Sequence, residues 1–241
     1  MPRTLAKPCP SIPDKPNRHG NTRRRTLREL YAIVGTLTRN SKMPGYAFSL
    51  PALDACPVGA KLALLEDTPC ANCYGLKGNH LFPNVLESHR DKLRKVKESL
   101  RDETARARWV DAMVELLSRR VDPADPYFRI HAVGDFFDLA YLQSWCDVAT
   151  RLPWVQFWAP TREMAAVRLA AVIAPENLLL RFSAPKIDEY PDLPGVDAVA
   201  YITRHVPATG PVCPAPDQGG KCADCRACWQ RSHRSTTYRF H

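Results

Sequence analysis

The sequence is organised around the stretch Tyr46-Ala47-Phe48-Ser49-Leu50-Pro51, which leads into a loop that carries Cys56, Cys70 and Cys73. The aromatic and apolar run lies between Pro44-Gly45 and Pro51, as expected for a buried strand with breaker residues at its ends. In α/β proteins, ligands and chemistry collect in the loops that leave the carboxyl ends of the strands. Three thiolates from one such loop suit a metal ion or an iron–sulfur cluster.

A second group of cysteines lies near the C-terminus, where Cys222, Cys225 and Cys228 follow one another at two-residue gaps and eight residues separate Cys213 from Cys222. Structural zinc usually takes two separated Cys-x-x-Cys pairs, whereas successive two-residue gaps resemble the ferredoxin-type run. We call these residues the four-cysteine group, and Cys56, Cys70 and Cys73 the three-cysteine group.

The two groups differ in how many iron atoms of a [4Fe-4S] cluster they can ligate. Four cysteines can fill every iron of a [4Fe-4S] cluster, whereas three leave one iron free for a substrate or cofactor. We therefore expect one or two [4Fe-4S] clusters, with zinc as the alternative at the four-cysteine group. Two other arrangements stay open: the seven cysteines share one site, or two zinc ions bind with His80 or another group as a fourth ligand.

Length and composition favour one cytoplasmic domain with short extensions. A chain of 241 residues fits a single sizeable domain. The sequence has no long apolar run and no apolar N-terminal signal, so we expect a soluble cytoplasmic protein that makes no membrane contact. Clustered cysteines in that reducing compartment favour metal over disulfides. We expect a flexible basic arm at 1–25, a β/α domain with the three-cysteine loop at 26–210 and a cysteine-rich, cluster-binding segment at 211–241.

The positive charge is concentrated near the N-terminus. The formal net charge is +9, and residues 1–45 hold ten Lys or Arg against Asp14 and Glu29. Arg23, Arg24 and Arg25 form a basic run of the kind that contacts phosphates, which makes nucleic acid a candidate partner. A plain solubilising terminus is the alternative.

Alternating patterns predict a parallel sheet. Helical periodicity indicates helices at 26–40, 83–100, 103–120, 139–152 and 164–173, and apolar runs indicate strands at 46–50, 127–133, 155–160, 177–183 and 196–202. Helices between strands favour an α/β fold with a partial parallel (β/α) barrel and a cysteine-rich C-terminal extension. On the helix at 83–100 we expect the basic positions, Lys92 among them, to face solvent.

Polar residues follow each predicted strand. They are Gly134-Asp135, Thr161-Arg162-Glu163, Arg181 with Ser183, and Arg204-His205. In a parallel array the carboxyl ends of the strands meet, so these residues would line one cleft with the cysteine loop. Gly134-Asp135 fits either a ligand-binding strand end or a turn whose carboxylate caps the next helix.

Five segments carry a likeness to a known family: 42–51, the loop of Cys56, Cys70 and Cys73-Tyr74, the strand end from His131 to Phe136, 157–163 and 221–229. Together they resemble the bacteriophage "gene product 88" domain family, and this likeness spans about residues 40–230. It implies a phage or prophage origin, and hence a place in the cytoplasm of a bacterial host.

More distantly, the arrangement resembles radical S-adenosylmethionine enzymes. These are partial β/α barrels with a three-cysteine cluster after the first strand, and often an auxiliary cluster near the C-terminus. Their glycine-rich strand end with an acidic residue binds the methionine amino group of the cofactor, which implies that role for Gly134 and Asp135. The usual Cys-x3-Cys-x2-Cys loop has a thirteen-residue first gap here, and a double-glycine-Glu motif is absent.

These features predict an iron–sulfur enzyme of the radical S-adenosylmethionine type. Cys56, Cys70 and Cys73 would hold the cluster with an open iron, and Ser183 would join Gly134 and Asp135 at the cofactor. Arg162 and His205 would be catalytic. The expected substrate is a nucleotide, a nucleic acid or another small molecule, and a reductant protein would supply electrons.

Two alternatives remain. One is a non-catalytic module, stabilised by zinc or iron–sulfur centres, that binds nucleic acid or a host protein. The other is an iron–sulfur redox or sensor protein that does not use S-adenosylmethionine.

Overall fold

A computed structural model describes residues 24–205 and 210–240. Of the basic run, Arg23 lies outside the described residues, and so does most of the predicted arm. Arg24 is exposed, whereas Arg25 is partly buried. The guanidinium of Arg25 lies 3.5 Å from Glu115, and its backbone carbonyl accepts a hydrogen bond from Arg119. Arg25 therefore contacts the body of the protein.

The fold is α/β and is built on an open sheet of six parallel strands that follow one another in sequence order. The strands are β1 (Tyr46–Phe48), β2 (Tyr127–Ile130), β3 (Gln156–Thr161), β4 (Leu178–Ser183), β5 (Val199–Thr203) and β6 (Ser235–Arg239). The first five match the predicted strands: β1, β2, β4 and β5 are shorter than predicted, and β3 is shifted by one residue. For example, β2 ends at Ile130 because His131 has a φ of 62°.

β6 is the strand that the sequence patterns missed. It pairs with β5 over five positions, from Val199 opposite Ser235 to Thr203 opposite Arg239. The cysteine-rich segment is therefore the connection between the last two strands. A run of β-branched and aromatic residues, Thr236-Thr237-Tyr238, was the available signal.

The helices are α1 (Leu27–Val34), α2 (Pro57–Leu62), α3 (Pro83–Ser99), α4 (Glu103–Arg120), α5 (Leu139–Arg151) and α6 (Met164–Ile173). Local chemistry fixes their starts: Thr26 and Glu29 form a capping box on α1, and the carboxylate of Asp138 accepts from Ala140 N–H at α5. α1 stops well before the predicted end, because Gly35 takes a φ of 85°.

The main core lies between one face of the sheet and the helices. Phe128 and Phe157 point into it from β2 and β3, and Trp145 of α5 packs against both rings at centroid distances of 5.7 Å and 6.4 Å. Trp109 of α4 completes this aromatic cluster. No helix in the described part of the chain is long and apolar enough to cross a membrane.

The cysteine-rich segment covers the other face. Trp229 packs on Tyr127 and Trp158, with ring centroids 5.3 Å and 5.1 Å away, and its indole N–H donates to the carbonyl of Phe128. Tyr127 and Trp158 alternate along their strands with the residues that face the helices, so they point to the opposite side. Lys92, expected in solvent, is instead fully buried on the inner stripe of α3.

Candidate functional site

The three-cysteine group lies where β1 ends. Cys56 is the residue before α2, and Gly59 of that helix lies beside two of the sulfurs. A Cβ placed on Gly59 would be 3.5 Å from the Cys70 sulfur and 4.0 Å from the Cys56 sulfur. Cys70 is buried, whereas Cys56 and Cys73 are partly buried. The fold therefore brings thiols that are far apart in sequence to the same helix turn.

The three thiols affect one another electrostatically. Burial, the nearby carboxyl group of Asp135 and the thiols of Cys73 and Cys70 together raise the pKa of Cys56 to about 12. Burial also raises the pKa of Cys70, against the opposing effect of Arg162. Without a cation the thiols of Cys56 and Cys70 stay protonated at neutral pH, whereas a coordinated metal ion removes the proton from a thiol. The group is therefore chemically suited to a cation that displaces protons.

The metal-ligand geometry itself is not formed. In residues 24–205 and 210–240, no group of three or more His, Cys, Asp or Glu side chains is arranged so that it could hold a metal ion. The cysteines of each group are neighbours that do not stand in ligand positions.

Asp135 ties the ends of β2 and β3 together. One of its carboxylate oxygens accepts from the Thr161 hydroxyl and from the Phe136 N–H, and the other accepts from the Arg162 N–H. Its own N–H donates to the carbonyl of Ala55, next to Cys56. Burial raises the pKa of Asp135 to about 6. This carboxylate therefore fixes the strand ends around the cysteine loop.

Gly134 is required by close packing. Its φ is 98°, and a Cβ at this position would stand 2.7 Å from the Cβ of Leu50. Leu50 also donates its N–H to the carbonyl of Val133. The glycine therefore lets the ends of β1 and β2 approach each other.

Residues that follow the other strands also contact the cysteine loop. Glu163, after β3, accepts a hydrogen bond from the Val58 N–H at 2.8 Å. Ile187, after β4, donates its N–H to the carbonyl of Asp67, and Arg204, after β5, forms a 3.1 Å ion pair with the Asp67 side chain. Residues after β3, β4 and β5 thus contact the cysteine loop at the carboxyl edge of the sheet.

The remaining predicted site residues differ in burial and in whether they reach the carboxyl edge of the sheet. Arg162 is near Cys70, and its Nε is buried without a hydrogen-bond partner. Ser183 is buried at the end of β4. His205 is exposed, and its N–H donates to the Thr203 hydroxyl. Arg181 does not reach the carboxyl edge, since its guanidinium lies under the cysteine-rich segment and donates to the carbonyls of that segment.

The four-cysteine group lies against the face of the sheet that the helices leave free. Cys213 donates its N–H to the carbonyl of Thr237 in β6, and Cys222 donates its N–H to the carbonyl of Lys42 ahead of β1. The sulfur of Cys228 lies 3.0 Å from the Tyr238 hydroxyl. Tyr238 was not among the predicted site residues, because β6 was not predicted.

Three arginines, Arg129, Arg181 and Arg226, lower the pKa of cysteines in this group. Burial raises the pKa of Cys228 to about 11, and Tyr238, Arg129 and Arg181 oppose that rise. Burial also raises the pKa of Cys222, which Arg129 lowers in turn. Arg129 was not identified from the sequence, because a basic residue within a strand gives no local sign of the face it occupies.

Comparisons with known proteins place these features in a phage context. A family model described as "Gene product 88" matches residues 17–231. The "Gene 88 protein" of Mycobacterium phage L5 is 44% identical over 61 residues, which cover 25% of this chain and 26% of that protein. The "Gene 88 protein" of Mycobacterium phage D29 is 48% identical over 62 residues, which cover 25% of each chain. The match thus spans about a quarter of the length of either curated relative. No solved structure gives a significant match.

Proposed function

The chain belongs to the gene product 88 family of bacteriophage proteins, and from this premise we propose that it is a phage-encoded iron–sulfur enzyme of the radical S-adenosylmethionine type. The observation that carries the proposal is the three-cysteine group, whose thiols lie together in the loop after the first strand of a parallel sheet. Strands in sequence order are also the order of a β/α barrel, so the open sheet fits part of such a barrel.

The residues at the carboxyl edge of the sheet would have separate roles. Cys56, Cys70 and Cys73 would hold a [4Fe-4S] cluster with one open iron. The bound cofactor, S-adenosylmethionine, would supply radical chemistry after reduction of the cluster by a partner protein.

Other residues at this edge would shape the cofactor pocket. Gly134 and Asp135 would orient the cofactor, and Asp135 also fixes the backbone of Arg162 by accepting a hydrogen bond from its N–H. Ser183 would contact the cofactor. Arg162 and His205 would act on the substrate, and Arg162 is the better placed because its charge lies near Cys70.

The substrate proposal rests on charge. The formal net charge is +9, and Arg24, which follows Arg23 in the basic run, is exposed. A nucleotide or nucleic acid, as a polyanion, is therefore the first substrate class to test. The place of action would be the cytoplasm of the bacterial host.

Metal analysis of anaerobically purified protein directly tests the proposal that it is an iron–sulfur enzyme. We expect iron and sulfide in both groups and cleavage of S-adenosylmethionine under reductant. Cys73→Ala should abolish cleavage and lower the iron content with little loss of stability, because Cys73 is partly exposed. Cys146→Ala is the matched control, since Cys146 is buried in the core and should affect stability without affecting iron. A colourless protein that contains only zinc would exclude the proposal.

A non-catalytic metal-stabilised module is the second candidate, and the packing of Trp229 on the sheet favours it for the four-cysteine group. In that case metal at this group would serve only to hold the segment in place. Equal loss of folding from Cys73→Ala and Cys225→Ala would support a structural role for both groups.

A further inference from the structure

The outer face of α3 carries basic residues on one line along the helix. They are Arg90, Arg94, Lys97 and Arg101, and all of them are exposed. Intervals of four, three and four residues place them on the same side of the helix and of the turn that follows it. Together with Leu93 and Glu98 they line a groove along α3. We call these basic residues the α3 basic row.

Most of the charge in this row is not neutralised by carboxylates. Arg94 is the exception, because its guanidinium forms ion pairs with Asp91 and, at 2.9 Å, with Glu98. Within residues 24–205 and 210–240, the ion pairs include none of the other three members of the row. Lys97 lies 5.8 Å from the ring centroid of Phe137, a contact that leaves its charge in place. The row therefore presents net positive charge to a partner.

The shape of the row fits the backbone of a nucleic acid. From Arg90 to Arg101 the chain rises about 16 Å, at about 1.5 Å per residue. Phosphates along one strand form a similar line, and their neutralisation by Lys and Arg releases counterions, which drives binding. A bilayer fits less well, because a helix that lies on a membrane buries its apolar face there, whereas the apolar stripe of α3 lies in the core.

Exposed aromatic rings lie where the row approaches the cysteine loop. Counting back seven residues from Arg90 leads to Pro83, the first residue of α3, and Phe82 directly precedes it. Phe82 is 55% exposed, and Tyr74 is 56% exposed. The Tyr74 hydroxyl donates to the carbonyl of Ala132, which holds this ring in place. Aromatic rings beside a basic groove are the arrangement on which bases stack in proteins that bind single strands.

The chain connects these rings directly to the candidate site. Tyr74 follows Cys73 in sequence, and the short helix Gly78–Leu81 that comes next packs against α3. Lys77, between Tyr74 and that short helix, is also exposed. A strand bound along α3 would therefore reach the loop of the three-cysteine group.

We propose that the α3 basic row, with Phe82 and Tyr74, is a binding surface for single-stranded nucleic acid. The row neutralises phosphates, and the two rings stack on unpaired bases. The strand then runs along α3 to the carboxyl edge of the sheet. This inference rests on the nucleic-acid substrate of the proposed function, and it adds the surface that binds the substrate and the single-stranded form that fits.

The charge test compares two double variants that lose the same charge. One combines Arg90→Gln with Arg101→Gln, and the control combines Arg168→Gln with Arg234→Gln. Arg168 lies on α6, which packs on α5, and Arg234 directly precedes β6; both are exposed, and neither is in an ion pair of the described residues. Fluorescence anisotropy of a labelled oligothymidylate measures the affinity of each protein as salt is increased.

We expect the Arg90 and Arg101 double variant to lower the slope of log affinity against log salt by about 1.4, because each phosphate contact on a single strand contributes about 0.7. At 0.1 M salt this corresponds to an affinity about 25-fold weaker. The control should keep the wild-type slope. Both double variants should keep the wild-type urea midpoint, since the replaced side chains are exposed.

Substitutions of Phe82 separate stacking from charge. Phe82→Leu keeps an apolar side chain but removes the ring, so we expect affinity to fall about tenfold at every salt concentration while the slope stays unchanged. Phe82→Tyr keeps the ring and should bind as wild type does. A duplex of the same length should bind less tightly than the single strand, because its bases are already stacked on one another.

The outcomes distinguish this surface from the proposed enzyme. Wild-type slope and affinity in the Arg90 and Arg101 double variant would overturn the surface and leave nucleic acid as the substrate. Equal affinity for duplex and single strand would overturn the single-stranded assignment. Binding of the wild type to vesicles of anionic lipid but not to the oligonucleotide would overturn the surface and the substrate together. Absence of iron, with the expected differences in binding retained, would overturn the enzyme alone.

Discussion

Replacement of Lys92 by Met should stabilise the protein. The Lys92 side chain is 0% exposed, and its ammonium nitrogen has no hydrogen-bond partner among the described residues. The ring of Phe48 faces the ammonium group, with its centroid 5.6 Å from the nitrogen. Met has an unbranched side chain of similar length and carries no charge, so the variant Lys92→Met removes the ammonium and keeps the packing.

The magnitude follows from the pKa. Burial lowers the pKa of Lys92 from 10.5 to about 8, and Asp91 opposes this only in part. Each unit of difference between the folded and unfolded pKa is worth about 1.4 kcal/mol, so the charged form costs the folded state about 3 kcal/mol. We expect Lys92→Met to recover an amount of this order at pH 7.

The pH dependence has a definite sign. The unfolded chain binds the proton more tightly than the folded chain, so the destabilisation is complete below pH 8 and is relieved as the pH rises toward 10.5. The advantage of Lys92→Met over wild type should therefore shrink across that window. Urea unfolding under reducing conditions at pH 7, 9 and 10.5 measures it.

Lys97→Met is the control, because Lys97 is exposed on the same helix and its change should lie within about 0.5 kcal/mol. A loss of stability in Lys92→Met at pH 7 would refute the reasoning. So would a gain that is undiminished at pH 10.5.

Two further predictions concern the end of β2. Burial lowers the pKa of His131 to about 3, so the unfolded state takes up a proton first and the protein should lose stability as the pH falls from about 6.5 toward 3. His131→Asn, which tolerates the positive φ, should flatten that loss in urea unfolding at pH 7 and pH 4; an unchanged slope would assign the acid sensitivity elsewhere. Gly134→Ala should cost about 1–3 kcal/mol from backbone strain, and more from the overlap with Leu50. Gly78→Ala is the control, since Gly78 shares a positive φ but has open space around it, and equal losses in the two variants would contradict the role of close packing.

Most secondary structure was predictable because its signals are local. The bounds of α4 and α6 match the periodicity, and both carry an apolar stripe that repeats at helical spacing. β6 was missed because its sequence lies directly after the cysteines, where the metal-site pattern dominated the interpretation. The prediction that Lys92 faces solvent was wrong because it relied on the charge of the residue and not on its position in the helix. Lys92 lies between His89 and Val96, which are both on the buried stripe of α3.

The candidate site was predictable in part. The spacing of Cys70 and Cys73 fixes that they are neighbours, and the strand-end pattern identified Asp135 and Arg162. The sequence could not reveal that the Asp135 carboxylate is occupied by Thr161 and by two backbone N–H groups. It also could not reveal that Arg181 faces the cysteine-rich segment, since that contact joins residues about 50 apart in sequence.

The sequence by itself determined the order of the first five strands and of the five long helices, and the division of seven cysteines into a group of three and a group of four. These properties depend on hydrophobic period and on spacing along the chain, which are present before any folding. Tertiary structure decided which charges lie in low-dielectric surroundings, Lys92 in the core and Arg181 beneath the cysteine-rich segment among them. The free energy of a charge depends on the water and the partners that remain around it, and only the assembled sheet and helices set those.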